Sequence, residues 1–198
     1  MMDRKRLYVF DFDGTLTKHD SLLAFIIFVR GWKVLLLTFL RYSPLLVLMK
    51  LGLYDNGKAK EKVFSACFKG MSLTSFNDYC QRFAEENRSL LREQAVLYIN
   101  KVREETCVII SASVDNWVQP FFPDMRVLGT QIEVVDGKLT GKFTTPNCYG
   151  PEKVRRLLGA YPERKDYYLV AFGDSGGDRE LLDYADEAYY QPFREKRQ

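Results

Sequence analysis

Apolar positions in this chain gather into three short runs that end in polar residues, and the stretches between them carry helical periodicity. The first run, "RLYVFDF" (residues 6–12), is aromatic and β-branched and is closed by Asp13-Gly14. It predicts a buried strand followed by a turn. "CVIISAS" (107–113) and "YYLVAFGDSGGD" (167–178) repeat the pattern, each an apolar strand that runs into small hydroxyl, glycine or acidic residues. From Ser21 to Tyr54 the pattern is helical and strongly apolar, interrupted by Arg30, Lys33, Arg41 and Lys50 and punctuated by Gly31 and Pro44. No window of about 20 residues is uninterruptedly apolar, so helices packed on one another are expected rather than a membrane span. A sharper alternative is a helical surface that rests on a membrane or grips an apolar ligand. Helices continue from 58 to 103, with Leu91, Ala95, Tyr98 and Val102 on one face. Residues 132–143 predict a hairpin turned by Asp136-Gly137. "GPEKVRRLLG" (150–159) predicts a short helix with Pro151 in its first turn and Gly159 at its end, and "RELLDYA" (179–185) another.

Strands alternating with helices imply an α/β fold, a Rossmann-like parallel sheet with helices on both faces. The all-helical stretch 20–93 breaks the alternation and reads as an inserted cap, leaving 1–19 and 94–198 as the core. In such sheets the ligand crevice lies beyond the carboxyl ends of the strands. Here those ends are Asp-Phe-Asp, Ser-Ala-Ser and Gly-Asp-Ser.

Composition narrows the chemistry. The 198 residues are 46% hydrophobic and 28% charged, which suits a globular protein. The net charge of +3 is too small to imply a nucleic-acid partner. The charge is unevenly spread: between Arg30 and Lys69 eight Lys/Arg face two acids, so the cap is basic and the remainder mildly acidic. A basic, apolar cap would suit peripheral contact with anionic headgroups. Four cysteines without metal-ligand spacing imply free thiols in a reducing cytoplasm. The single histidine, His19, argues against His-ligated metal centres and Ser–His–Asp chemistry. The first apolar run breaks at Asp11, too soon for a secretory signal.

Asp11 and Asp13 stand two apart in an extended segment and can face one cavity. Two like charges that close raise one pKa or demand a cation. Mg²⁺ meets that demand because it favours a few carboxylate oxygens, and Asp174 can supply a third. Ser111, with the amides after it, and Lys153 could hold a phosphoryl group. Asp11 could then act as a nucleophile and Asp13 as acid and base.

"DFDGT", "VIISAS", Lys153 in "CYGPEKVRRL" and "FGDSGGD", in that order, resemble the four motifs of the haloacid dehalogenase superfamily. The helical insert after the first motif is similar to its subfamily IB, which holds phosphoserine phosphatases and a phosphatidylglycerophosphate phosphatase branch. The resemblance implies a Mg²⁺-dependent phosphomonoesterase acting on a small phosphorylated metabolite through an aspartyl-phosphate. It implies Asp11 as nucleophile, Asp13 as acid/base, and Ser111, Ala112 and Lys153 as phosphate holders. Asp11, Asp174 and the Asp13 backbone carbonyl would be metal ligands, Asp178 an outer acidic residue, and Asp20 a specificity residue in the cap. Against the phosphoserine phosphatase pattern, Ala112 and Ser113 replace two glycines, Gly177 replaces an Asn, and only Lys58, Lys60 and Lys62 lie near an expected Arg. Those departures leave open a lipid-phosphate phosphatase at the membrane surface, or a non-catalytic lipid-binding module.

Overall fold

The computed structural model describes residues 4–194. Five strands form a parallel sheet in the order β3-β2-β1-β6-β7, with β1 (Lys5–Phe10) at its centre between β2 (Thr106–Val114) and β6 (Tyr167–Gly173). The outer strands are β3 (Arg126–Thr130) and β7 (Glu187–Tyr190). Both lack the apolar runs of the inner three, which is why periodicity did not announce them. Side chains alternate across the sheet. Tyr8, Phe10, Ile109 and Phe172 enter one hydrophobic cluster, and Leu7, Val9, Val108, Ile110, Leu169 and Ala171 enter the other.

The second cluster is covered by α7 (Pro151–Ala160) and α8 (Arg179–Tyr184). Helix α7 runs through Gly159 to Ala160, one residue beyond the expected stop. The first cluster is covered by α5 (Glu93–Lys101), by the short α6 (Asp115–Val118), and by the cap. The cap holds α1 (Ser21–Arg30), α2 (Trp32–Lys50), α3 (Asn56–Phe68) and α4 (Leu73–Glu86). Its two crossings to the core run side by side. Thr17 pairs with Leu91, and the Lys18 and Arg92 amides donate to the carbonyls of Leu90 and Leu16. The hairpin of β4 (Ile132–Val135) and β5 (Lys138–Phe143) turns on Asp136 and Gly137, both with positive φ. It attaches to the cap side: Leu139 exchanges backbone hydrogen bonds with Gly70 and Met71, and Ser72 bridges Lys138.

Aromatic contacts join the cap to the core. Phe25 of α1 stacks on Trp117 of α6 with centroids 5.1 Å apart, and Phe83 of α4 meets Phe121 edge-on at 5.6 Å. Helix α2 departs from the expected mutually buried bundle. It passes through Pro44 without ending, and Thr38 is its one buried residue. By length and composition it could cross a membrane. One side packs on α1 and α3, and the other leaves Trp32, Leu36, Leu37, Leu40, Val47 and Leu48 exposed.

Phe25 touches Phe68, Phe76, Phe83 and Trp117 and is fully buried. Phe25→Ala should therefore cost about 3–5 kcal/mol, read as a lower urea midpoint, with cap and sheet unfolding in one transition.

Candidate active site

The carboxyl ends of β1, β2 and β6 meet the cap in a cavity of about 390 Å³. Its walls include Asp11, Asp13, Ser111, Ala112 and Asp174 from the sheet edge, Lys153 from α7, and Asp20 and Lys60 from the cap. Each sheet-edge group arrives there by local chemistry. Asp11 follows Phe10 at the end of the central strand, where its amide still donates to the Phe172 carbonyl at 2.9 Å. The chain then turns at Gly14, whose φ of +80° favours glycine. A Cβ there would sit 2.3 Å from Asp174 Oδ2, so glycine also lets β1's loop approach β6's. On β2 the pairing with β3 steps from Ile110–Leu128 to Val114–Thr130, and the strand bulges across Ser111–Ser113. Ser111 and Ser113, two apart, are both fully buried.

One ammonium group organises the acids. Lys153 Nζ lies 2.5 Å from Asp11 Oδ1 and also bonds Asp178 Oδ1, and all three side chains are buried. Asp178 Oδ2 accepts the amides of Asp174 and Ser175 and the Ser175 hydroxyl. Burial alone would raise the Asp178 carboxyl, but Lys153 and these donors hold it below the usual carboxylate range. Asp11 accepts Thr15 Oγ1 on its other oxygen at 3.0 Å. Its pKa is pushed up to about 7, first by burial and then by Asp178 and Asp13, against the pull of Lys153. Lys153 is held above its ordinary value by the two carboxylates, which outweigh its own burial.

Asp174 is raised too, chiefly by burial and by Asp178, while Arg194 at 2.6 Å opposes this. Carboxylate oxygens of Asp11, Asp174 and Asp178 lie within 4.8 Å of one another. This is a hard-oxygen donor set of the kind a magnesium ion takes. Asp178 already accepts four donors, against two on Asp11 and one on Asp174, so Asp11 and Asp174 keep more free lone pairs for a cation.

The Asp13 side chain stays outside that cluster. Its Oδ1 accepts the Ser21 amide at 2.6 Å and its Oδ2 the Ser113 hydroxyl at 2.5 Å. Ser111 Oγ accepts the Ser113 amide at 3.0 Å, and the Ala112 carbonyl accepts Lys60 Nζ at 2.9 Å. Of Lys58, Lys60 and Lys62, Lys60 is the one that lines the cavity. Asp20 lines it as well, but its carboxyl caps α1 by accepting the Leu23 amide. Desolvation at the mouth and the charge of Asp13 push the Asp20 carboxyl up, against Lys60. Gly177 has a local reason: a Cβ there would sit 2.3 Å from the Tyr149 ring, and Tyr149 walls both this cavity and a neighbouring one of about 320 Å³.

Sequence reasoning left Thr15, Ser21, Ser113, Trp117 and Tyr149 without roles. Only Ser113 carried a signal, its two-residue spacing from Ser111 on one strand. The four cysteines are free. Burial pushes the Cys148 thiol up to about 11, which removes it as a nucleophile.

Comparison with known proteins shows the family and the fold. Residues 8–183 match the model of the haloacid dehalogenase-like hydrolases. Protein CicA of Caulobacter vibrioides is 34% identical over 200 residues, covering 96% of this chain and 87% of that protein. A solved protein of unknown function from Bordetella pertussis Tohama I superposes with a TM-score of 0.77 at 21% identity, over 94% of this chain and 89% of its own. A phosphoserine phosphatase solved as a phospho-aspartyl intermediate analogue shares the fold, with a TM-score of 0.54 at 19% identity over 94% and 86% of the two chains.

Asp11 gives the cation-free protein a pH signature. Its folded pKa of about 7 lies above the ordinary aspartate value of about 4. The folded state therefore binds the extra proton, and this contribution is fully present below about 4 and lost as pH rises through about 7. The unfolding free energy should fall across that window by an amount on the order of 4 kcal/mol at most. Added Mg²⁺ should restore more stability at pH 7 than at pH 5, measured by thermal unfolding with and without chelator.

Proposed function

This chain belongs to the haloacid dehalogenase-like hydrolases, and we propose that it is a phosphatase that hydrolyses a small phosphomonoester through a phosphorylated Asp11. The observation that carries the reading is the meeting of Asp11, Lys153, Asp13 and Ser111 in one cavity at the sheet edge. Phosphoryl transfer asks mainly for positioning and for charge neutralisation. In this reading Lys153 and Ser111 receive the phosphoryl oxygens. The free lone pairs of an ionised Asp11 make it the nucleophile.

In the first half-reaction an Asp11 oxygen bonds to phosphorus, the ester P–O bond breaks, and Asp13 gives its proton to the departing alkoxide. In the second, Asp13 takes a proton from water, the water oxygen attacks phosphorus, and inorganic phosphate leaves with Asp11 restored as a carboxylate. Mg²⁺ held by Asp11 and Asp174 would supply positive charge against the phosphoryl oxygens. Asp178 fixes Lys153 and the loop that presents Asp174. The phospho-aspartyl analogue of the phosphoserine phosphatase with this fold supports the covalent route. Asp20 and Lys60 at the mouth offer one anion and one cation to the rest of the substrate.

A second reading rests on a separate observation. The exposed apolar side of α2 continues through Leu51 and Leu53, the latter 73% exposed, directly before Asp55 and Asn56 at the neighbouring cavities. Arg30, Lys33, Arg41 and Lys50 stand along the same helices. This surface suits peripheral attachment to an anionic bilayer on the cytoplasmic side, with a lipid-borne phosphomonoester as substrate.

Asp11→Asn should lower turnover of p-nitrophenyl phosphate with Mg²⁺ by about 10³-fold or more, while far-UV circular dichroism stays unchanged. Turnover near the wild-type rate would exclude the covalent route. For the second reading, the protein should float with phosphatidylglycerol vesicles and not with phosphatidylcholine vesicles. Leu37→Glu combined with Leu40→Glu should abolish flotation and leave hydrolysis of the soluble ester intact; flotation by the double variant would reject this surface.

A further inference from the structure

We propose that Ser113 is a positioning residue for Asp13, the last link of a one-way hydrogen-bond relay that starts at Trp117 and passes through Ser21. The proposal rests on the phosphatase reading for its kinetic consequence, but the relay itself is a matter of geometry. Trp117 Nε1 donates to Ser21 Oγ at 3.0 Å, Ser21 Oγ lies 3.1 Å from Ser113 Oγ, and Ser113 Oγ lies 2.5 Å from Asp13 Oδ2. Ser21, Ser113 and Trp117 are fully buried.

The direction follows from chemistry. An indole N–H can only donate, so Ser21 Oγ accepts it. The Ser21 hydroxyl proton is then free for Ser113 Oγ, and the Ser113 proton goes to the carboxylate. Each link polarises the next toward Asp13. The Ser21 amide, at the start of α1, holds the other carboxylate oxygen at 2.6 Å. Asp13 is therefore gripped on both oxygens in one rotamer, with a further lone pair on each oxygen for the proton it transfers.

The relay also joins three elements. Ser21 belongs to the cap, Ser113 to the end of β2, and Trp117 to α6, where its ring stacks on Phe25 of the cap. A displaced cap would take away the Ser21 amide and interrupt the chain to Ser113. Proper seating of the cap and proper orientation of the acid are thus one condition. Ser113 occupies the position where the resemblance led to an expectation of glycine, which has no hydroxyl to offer. Its own amide donates to Ser111 Oγ, so one residue braces both the acid end and the phosphate end of the cavity.

The test separates acid catalysis from general damage by leaving group. β-Glycerophosphate must expel an alkoxide that needs a proton, whereas p-nitrophenolate is a stable anion that leaves without one. Ser113→Ala should lower kcat/KM for β-glycerophosphate by about tenfold or more, and by less than about threefold for p-nitrophenyl phosphate. Ser21→Ala should show the same selectivity with a smaller loss. Equal losses on both esters would overturn the proposal.

A second readout needs no turnover. The chain has two tryptophans, and in ¹⁵N-labelled protein the exposed Trp32 serves as an internal reference for Trp117. Asp13→Asn should move the Trp117 indole N–H resonance, and Ser113→Ala should abolish that response. A response that persists without the Ser113 hydroxyl would refute the relay. If the wild type turns over neither ester, the phosphatase reading fails, and the resonance experiment alone decides the relay.

Discussion

Lys153 is the constraint on which the rest of this site depends. A fully buried ammonium survives only when charge and hydrogen bonds replace its water, and removing one partner of such a group costs several kcal/mol. Here the replacement comes from two elements at once, Asp11 at the end of β1 and Asp178 in the loop after β6. The helix that carries the lysine is thereby fixed against the sheet edge. The arrangement still leaves two carboxylates to one cation. Asp178, with three further donors, takes the larger share, and Asp11 remains under-compensated. Such imbalance is what the proposed binding of a cation and a phosphoryl anion would relieve.

The aromatic contacts that stabilise the fold also place the acid. Phe25, Phe83, Trp117 and Phe121 join cap and sheet into one hydrophobic cluster, and Trp117 turns its single polar atom toward Ser21. A buried indole N–H must find an acceptor. The acceptor it finds stands two bonds from Asp13. Packing and positioning therefore share side chains, and the cap is held by the same contacts that orient the Asp13 carboxyl.

Outside this union the cap carries a second, unrelated feature. Helix α2 buries one residue and turns large apolar side chains to solvent in a row, at an expense in hydration that a stable monomer rarely tolerates over so long a patch. The patch leads into the segment that borders the cavities. A lipid surface would satisfy it and would also set the direction from which substrate arrives.

How much of this was legible in the residues follows from range. Three strand ends and a glycine-rich acidic loop could be read because each is a local pattern: an apolar run, then a polar group, then a turn residue. The basic, apolar character of the cap was legible for the same reason. Period and composition were not enough for β3 and β7, whose residues alternate only weakly and are strands because β2 and β6 offer them an edge. Nor could they show that the 132–143 hairpin attaches to the cap side, or that α2 would face solvent.

Sequence alone brought Asp11, Asp13, Ser111 and Asp174 to one edge, because parallel strands end on the same side, and set Lys153 on a helix beside it. Only the folded chain could make Asp178 the partner of Lys153 across 25 positions, seat Lys60 on the Ala112 carbonyl, and bring Ser113 within reach of Asp13 across 100. Those contacts join residues far apart along the chain, and a hydrogen bond made that way exists only after the elements carrying its two ends have packed.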